Sequence, residues 1–574
     1  MGVSRGVRFI VVFLSLAIIV SMAGIAVLYL MVSGAPSVAS DSVLVLPVRG
    51  GLAEHRQNAL LTSFGPGGPT VRSVTDSLRK AKVDDRISGV ILKPQIGPRL
   101  LWGKLQEIRD AVADYRESGK PIAAFLEYGG AEDYYLASAA DKVYLMPGSP
   151  LEVVGRAQYE MFFRDALDKV GTYPDVLAAG DYKTAANQYT ETTMTPAHRE
   201  MAESLNRDLY EQMVEGIAES RGLTGDEVRR LVDEGPFLPE DALAAGLVDG
   251  LAYADELKHR EPFDAADRRE VSDGDYRQVG LRSVGLDQGE RIALIYAVGA
   301  INSGSSSFDV LNGEVLGSDT LTSAIRSARE DDSVRAIVLR IDSPGGSAIA
   351  SDAIWRAVGL VRESGKPIVA SMSDLGASGG YYIAMGADAI VAQPATLTGS
   401  IGVVFGKFTT GGTYEKLGVG IEPVSEGRFA EIYSPVTRFS DAERAKVQEH
   451  VDAIYEQFVT KAAEGRQTTR DRLHEVAQGR VWTGRQALEH GLIDEVGGLG
   501  RAIALAKEKA GIDPGDEVEL VIYPRPKGFF ELLDEGFPMA RIAAAWAGVA
   551  APEAALVGRA AAPARLFRPG EPLA

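Results

Sequence analysis

The chain has 574 residues, 45% hydrophobic and 24% charged, which is ordinary globular usage and more than one ordinary domain requires. Its net charge of −19 argues against a nucleic-acid partner, because phosphate binding needs a basic face. With no cysteine, a disulfide framework, a thiolate metal site and a cysteine nucleophile are excluded.

Residues 9–40 carry no charge, and residues 9–32 are almost wholly apolar. At about 1.5 Å per residue such a run spans a bilayer core of about 30 Å. Arg5 and Arg8 precede it, while Asp41 and Glu54 follow. The positive-inside bias therefore makes residues 1–40 a cytoplasmic stub and transmembrane anchor, with the rest of the chain outside. A cleaved signal peptide, cut at Ser37-Val38-Ala39, is the other reading. The apolar run exceeds the usual h-region, which favours the anchor, and either reading exports the body of the chain.

A first repeat, 41–260, opens with a β-branched strand pattern at 42–48. Residues 261–290 are charged and weakly periodic and read as a connection. A second repeat, 291–525, opens with a similar strand at 291–298. It continues with an amphipathic helix at 320–329, whose Leu321, Ala324, Ile325 and Ala328 keep helical spacing. A buried-type strand at 336–341 ends in the turn Asp342-Ser343-Pro344-Gly345-Gly346-Ser347. A helix at 349–363, a strand at 367–372, a loop holding Ser378, another helix and a short strand at 389–392 follow. This alternation reads as α/β with mainly parallel strands. The Ala/Pro-rich tail, 526–574, has room for an amphipathic helix at 529–546 before its end reads as disordered.

The two repeats are one motif written twice. Arg79-Lys80-Ala81 shifted by 247 becomes Arg326-Ser327-Ala328, and Tyr134-Tyr135-Leu136-Ala137 becomes Tyr381-Tyr382-Ile383-Ala384. Glu117-Ser118-Gly119-Lys120-Pro121-Ile122 recurs, shifted by 246, as Glu363-Ser364-Gly365-Lys366-Pro367-Ile368. Within this frame Ser378 has Ala131 as its counterpart, and Lys183 has Ala430. One repeat kept a serine and lost a lysine, and the other did the reverse. Such reciprocity is expected of a single site built across both repeats.

Gly376-Ala377-Ser378-Gly379-Gly380 sets a serine among small residues, where a substrate backbone can approach and N–H groups can face an oxyanion. A nucleophilic serine needs a base. His450, His474 and His490 follow it, but all three sit in charged, helix-like stretches and read as surface residues. Lys183 is the better base. Losing its proton near neutral pH demands differential desolvation on the order of 3–5 kcal/mol, which burial between two domains can supply. Ala178, Ala179, Ala185 and Ala186 offer it an apolar neighbourhood. Gly346 and Gly379 are the candidate oxyanion donors, and the counterpart of Gly345-Gly346 falls near Pro98-Arg99. Ser400, whose counterpart is Val153, is a candidate partner for the lysine amine. There is no H-E-x-x-H and no Walker A sequence, and Gly497-Gly498-Leu499-Gly500 lacks the dinucleotide fingerprint, so neither metal nor cofactor is expected.

Together these motifs resemble the signal peptide peptidase A family in its long, tandem-domain form. The resemblance rests on Asp342-Ser343-Pro344-Gly345-Gly346-Ser347, Gly376-Ala377-Ser378-Gly379-Gly380-Tyr381-Tyr382, Thr398-Gly399-Ser400-Ile401-Gly402-Val403 and Gly180-Asp181-Tyr182-Lys183, in order over about residues 42–525. It implies a Clp-protease/crotonase-like fold in both repeats and a Ser–Lys dyad. In that dyad Ser378 is the nucleophile, Lys183 the general base and Ser400 the partner of the amine. It also implies a homo-oligomer, a dome-like tetramer, anchored in the bacterial inner membrane with its catalytic body on the periplasmic side. The implied substrates are signal peptides already released from preproteins. Asp342 stands where the family often carries Asn and is given no catalytic role. Three rivals remain at this point: a crotonase-like acyl-CoA enzyme, a non-catalytic membrane-anchored peptide-binding scaffold, and an α/β-hydrolase esterase using one of the three histidines.

Overall fold

The computed structural model describes residues 38–55, 68–96, 101–263, 268–309 and 313–525, with the isolated positions 20 and 24. Apart from those two positions the expected anchor at 9–32 lies outside the described residues, as do the tail beyond 525 and Pro98-Arg99. No helix among the described residues is long and apolar enough to cross a membrane.

Strands and helices alternate in the first half: β1 (Ser42–Arg49), α1 (Val71–Val83), β2 (Ile87–Gln95), α2 (Trp102–Arg116), β3 (Ile122–Leu126), α3 (Ala131–Ala137) and β4 (Lys142–Leu145). Then come α4 (Arg164–Val170), β5 (Tyr173–Ala179), α5 (Pro196–Arg221), β6 (Gly250–Leu251) and β7 (Arg269–Ser272). Six of these strands form one sheet in the order β6-β4-β3-β2-β1-β7, every neighbouring pair parallel. Parallel sheets are covered on both faces, which is why β3 reads as a continuous apolar run. Helix starts are set by polar caps. Thr70 and Ser73 form a reciprocal capping box on α1, and Thr195 accepts from the His198 N–H ahead of Pro196 in α5.

The second half repeats the plan with β8 (Glu290–Val298), β9 (Ala300–Asn302), α6 (Ser318–Glu330), β10 (Val334–Ser343), α7 (Ala348–Glu363), β11 (Ile368–Ala377), α8 (Gly379–Ala384), β12 (Ala389–Ala392) and β13 (Leu397–Gly399). It continues through β14 (Val403–Thr409), α9 (Gly411–Lys416), α10 (Asp441–Gly465), β15 (Val481–Thr483), β16 (Glu495–Val496), α11 (Leu499–Lys509) and β17 (Val518–Tyr523). The sheet order is β15-β13-β11-β10-β8-β17, with β12 beside β11 and β16 beside β12. Only the β13–β15 pair in it is antiparallel. The protein is thus mixed α/β with mainly parallel strands.

Tertiary hydrogen bonds repeat along with the sequence. Tyr134 Oη donates to the Leu247 carbonyl at 2.7 Å, and Tyr381 Oη to the Leu492 carbonyl at 2.9 Å. Asp141 Oδ2 accepts from Ile122 N, and Asp388 Oδ2 from Ile368 N. The halves also interpenetrate. β5 of the first pairs antiparallel with β14 of the second, from Ala179↔Val403 to Tyr173↔Thr409. Ala179 is buried in the core of the second half, and Ala395 in that of the first.

Two sequence expectations need correction. Residues 261–290 are more than a connection, because β7 pairs with β1 as the outer strand of the first sheet, just as β17 pairs with β8. Ser378 is not in an open loop. β11 runs on to Ala377, and Ser378 caps α8 directly.

Candidate active site

The nucleophile candidate sits at a strand-to-helix corner. Ser378 has φ 57° and ψ −119°, a conformation a non-glycine residue holds only where its surroundings enforce it. Its N–H donates to the Gly399 carbonyl at 2.8 Å, and its carbonyl accepts from Tyr382 N at 2.9 Å. The turn after β10 packs against this corner. Gly345, at φ 99°, lies so close that a Cβ there would stand 2.6 Å from Gly379 N and 2.7 Å from Ser378 Cβ.

Gly346 and Gly379 converge on the same point. β9 pairs with the turn through Ile301 N to the Gly345 carbonyl and Ser347 N to the Ile301 carbonyl. A parallel bridge of this kind leaves the Gly346 N–H pointing away from β9, and a Cβ on Gly379 would stand 3.1 Å from Gly346 N. Among the described residues neither the Gly346 nor the Gly379 amide has a protein acceptor. Two free donors beside a serine hydroxyl are the arrangement an oxyanion requires.

The lysine arrives from the other half. The β5–β14 ladder ends at Ala179, and the chain turns through Gly180 into Lys183. Gly479, at φ 80°, packs on the Lys183 backbone with no room for a side chain. Lys183 Nζ lies 2.8 Å from Ser378 Oγ, 3.0 Å from the Ser400 carbonyl and 3.2 Å from Ser400 Oγ. Both members of the pair belong to one chain and are buried, Lys183 at 7% exposure and Ser378 at 5%. Among the described residues no carboxylate offsets that burial, so the amine is pulled from the ordinary lysine range down to about 7. Neutral, it can donate to both Ser400 oxygens and accept the Ser378 proton. Of the alanines expected around it, Ala179 and Ala186 are buried, while Ala178 and Ala185 are exposed.

Lys104 shows what decides the matter. It is as buried as Lys183, yet its ammonium lies 2.7 Å from Asp342 Oδ2 and 3.3 Å from Asp374 Oδ2, and those carboxylates outweigh desolvation and raise its proton affinity. The histidines are engaged elsewhere or exposed. His474 Nδ1 bonds Tyr455 Oη at 2.7 Å, His490 packs at a tilt against the Trp482 ring, and His450 is exposed on α10. Sequence reasoning missed Gly479 and Arg480, whose carbonyl accepts the Ser400 N–H at 2.7 Å, because Ala477-Gln478-Gly479-Arg480 carries no local signature.

Residues 114–264 and 361–513 each match peptidase family S49, so Lys183 falls in one matched stretch and Ser378 and Ser400 in the other. The chain belongs to peptidase family S49. Its relatives include the Arabidopsis thaliana protein "Serine protease SPPA, chloroplastic", 36% identical over 85% of this chain and 72% of the relative. "Protease 4" of Salmonella typhi is 33% identical over 76% of this chain and 71% of its own length. "Protease 4" of Haemophilus influenzae is 30% identical over 82% and 79% respectively. This S49 member is a serine peptidase, and its substrates are peptides.

Proposed function

We propose that this S49 peptidase works through a Ser–Lys dyad formed by Ser378 and Lys183. The observation that carries the reading is the 2.8 Å approach of a buried, carboxylate-free amine to a serine hydroxyl held in a strained corner. Neutral Lys183 takes the Ser378 proton as Oγ attacks the peptide carbonyl. The Gly346 and Gly379 amides hold the oxyanion, and Ser400 keeps the amine oriented. Protonated Lys183 then delivers its proton to the leaving amine. A water repeats the sequence on the acyl-enzyme, restoring Ser378. The substrate enters extended, pairing as an added strand.

The finer reading follows the resemblance. The halves, taken as residues 41–260 and 291–525, are Clp-protease/crotonase-like domains. Residues 9–32 anchor the chain in the bacterial inner membrane, with the body on the periplasmic side. There it degrades signal peptides after their release. Anchoring keeps the dyad where short apolar peptides accumulate.

The protein works as a homo-oligomer, a tetramer by the same resemblance. Support comes from the internal repeat. Shifted by 247, β14 corresponds to 156–162 and β5 to 420–426, and both counterparts are unpaired among the described residues. They expose Tyr159 at 90%, Met161 at 66% and a fully exposed Val424. Pairing 420–426 of one chain with 156–162 of the next would repeat the β5–β14 ladder head to tail, a heterologous contact that gives a ring where its rotation closes. At that junction Ala430 would stand where Lys183 does and Ala131 where Ser378 does, leaving one working site per chain.

Testing the dyad takes two substitutions. Ser378→Ala and Lys183→Ala should each abolish peptide cleavage in a folded protein, and wild-type Ser378 should react with a fluorophosphonate. Full cleavage by folded Lys183→Ala would remove lysine as the base.

A further inference from the structure

The buried charges beside the dyad are not used in the mechanism above. Arg340 donates to both Glu54 oxygens at 2.8 and 3.2 Å, to Glu107 Oε2 at 2.7 Å and to Ser371 Oγ at 3.0 Å. Ser373 Oγ donates to Glu54. Lys104 faces Asp342, Asp374 and, at 3.8 Å, Glu54. Glu54, Lys104 and Glu107 come from the first half, and Arg340, Asp342 and Asp374 from the second. All are nearly out of solvent. An isolated buried cluster of this kind is expensive, and replacing it with apolar groups is often neutral or stabilising, so its presence calls for a role other than stability.

Its place in the sheet supplies one. β10 and β11 are in register through Ile341↔Met372, and the next pair is Ser343↔Gly376. Asp342 alone therefore faces Ser373, Asp374 and Leu375, a bulge that re-aims the end of β11. Two of its backbone groups are satisfied by side chains. Leu375 N donates to Asp342 Oδ1 at 3.1 Å, and Thr396 Oγ1 donates to the Ser373 carbonyl at 2.5 Å. Lys104 holds both sides of the bulge. Its ammonium bridges the Asp342 and Asp374 carboxylates, and its backbone N–H donates to Asp374 Oδ1 at 2.8 Å. α2 lies so close to the bulge that a Cβ on Gly103 would stand 2.8 Å from the Ser373 carbonyl oxygen.

Each carboxylate sits four positions before a group of the candidate site, Asp342 before Gly346 and Asp374 before Ser378. Lys104 in turn belongs to the half that brings Lys183. We infer that Asp342 and Lys104 are positioning residues that set the oxyanion donor, the nucleophile strand and the base-bearing half at their working separation. This rests on the dyad reading above. Asp342 fills the bulge and fixes the Gly346 amide against Ser378, while Lys104 ties that pair to the first half.

The test uses the full-length protein and the substitutions Asp342→Ala, Asp342→Asn and Lys104→Met. The readouts are kcat and KM on a fluorogenic peptide, the rate of fluorophosphonate labelling, and thermal unfolding. Misplacing reacting groups by an ångström costs about a hundredfold in rate. Asp342→Ala should therefore lower kcat about a hundredfold and slow labelling, with KM within about twofold of wild type. Asp342→Asn keeps an oxygen for the Leu375 N–H and should stay within about fivefold in kcat. Lys104→Met should lose about tenfold or more in kcat with KM again nearly unchanged. A kcat for folded Asp342→Ala within about twofold of wild type, or an equal loss in the Ala and Asn variants, overturns the inference. Should Asp342→Ala be unfolded at the assay temperature, Lys104→Met decides by the same twofold limit. Failure of the dyad reading looks different, because the wild type itself would then neither cleave peptide nor label at Ser378.

Discussion

Lys183 and Lys104 are the same side chain at the same depth, and their surroundings give them opposite chemistry. Three carboxylates keep Lys104 charged, whereas Lys183 faces a hydroxyl, a carbonyl and a second hydroxyl, and burial alone brings its proton affinity to about 7. This has a kinetic and a thermodynamic consequence. Since only the neutral amine can take the Ser378 proton, kcat/KM should rise with pH through an apparent pKa near 7 and level off above it. A profile flat from about pH 5 to 9 would count against lysine as the base. For stability, the unfolded chain holds the proton up to the ordinary lysine value, while the folded chain has released it above about 7. The unfolded state therefore binds more protons across that window, and stability contributed by this residue rises with pH through it. Lys183→Met should accordingly melt above wild type at pH ~7, by roughly 4 kcal/mol of stability, with the gap closing toward pH ~10.5. Melting curves at several pH values measure it, and a variant less stable than wild type at neutral pH would refute the account. These two residues also mark what could be read from sequence. Reciprocal loss at Ala131 and Ala430 singled out Ser378 and Lys183 without any fold. Nothing local distinguishes Lys104, whose role exists only once α2 lies on β11.

Among the elements, those with strong local patterns were legible. β1, β8 and β10 carry β-branched runs, and α6 keeps a helical apolar stripe from Leu321 to Ala328. β7 was hidden because it is short and mostly exposed, so Arg269-Glu270-Val271-Ser272 shows no apolar alternation. The far end of β11 was hidden for another reason. The sequence pattern ends this strand at Met372 and leads into a loop, yet Ser373-Asp374-Leu375 is a bulge whose far side resumes pairing with β10 and with β13. One repeated device can be tested at this scale. Lys120 Nζ donates to the Ala81 and Asp84 carbonyls where α1 ends, and Lys366 Nζ to the Ala328, Arg329 and Asp331 carbonyls where α6 ends. Each ammonium closes helix-end acceptors that would otherwise be left open. Lys366→Met should destabilise the protein by about 2 kcal/mol, measured by denaturant unfolding, while leaving kcat unchanged in the folded fraction. A neutral substitution would show that water replaces the ammonium at no cost.

At the scale of the molecule, duplication explains why a peptidase of this length would need only one dyad. Within a chain the β5–β14 ladder brings the lysine of one half to the serine of the other, and the two catalytic candidates need no second subunit. A mixture of Lys183→Ala and Ser378→Ala chains, refolded or exchanged together, should therefore stay inactive, because every internal site lacks one member and the proposed junction between chains lacks both. Recovery of activity would mean that the working pair forms between chains. The assembly can be separated from the chemistry. In the register of the internal ladder, Tyr159 would oppose Pro423 and Gln158 would oppose Val424, so a charge at 159 faces an apolar partner across the junction and a charge at 424 replaces an exposed apolar side chain there. Tyr159→Asp with Val424→Asp should lower the mass seen by light scattering in detergent, yet leave Ser378 reactive toward a fluorophosphonate, since the Lys183–Ser378 contact lies inside the chain. An unchanged mass would rule out this junction. A mass that falls together with labelling would mean that the neighbouring chain holds the β5–β14 corner in place, making assembly a condition of catalysis rather than only a container for it.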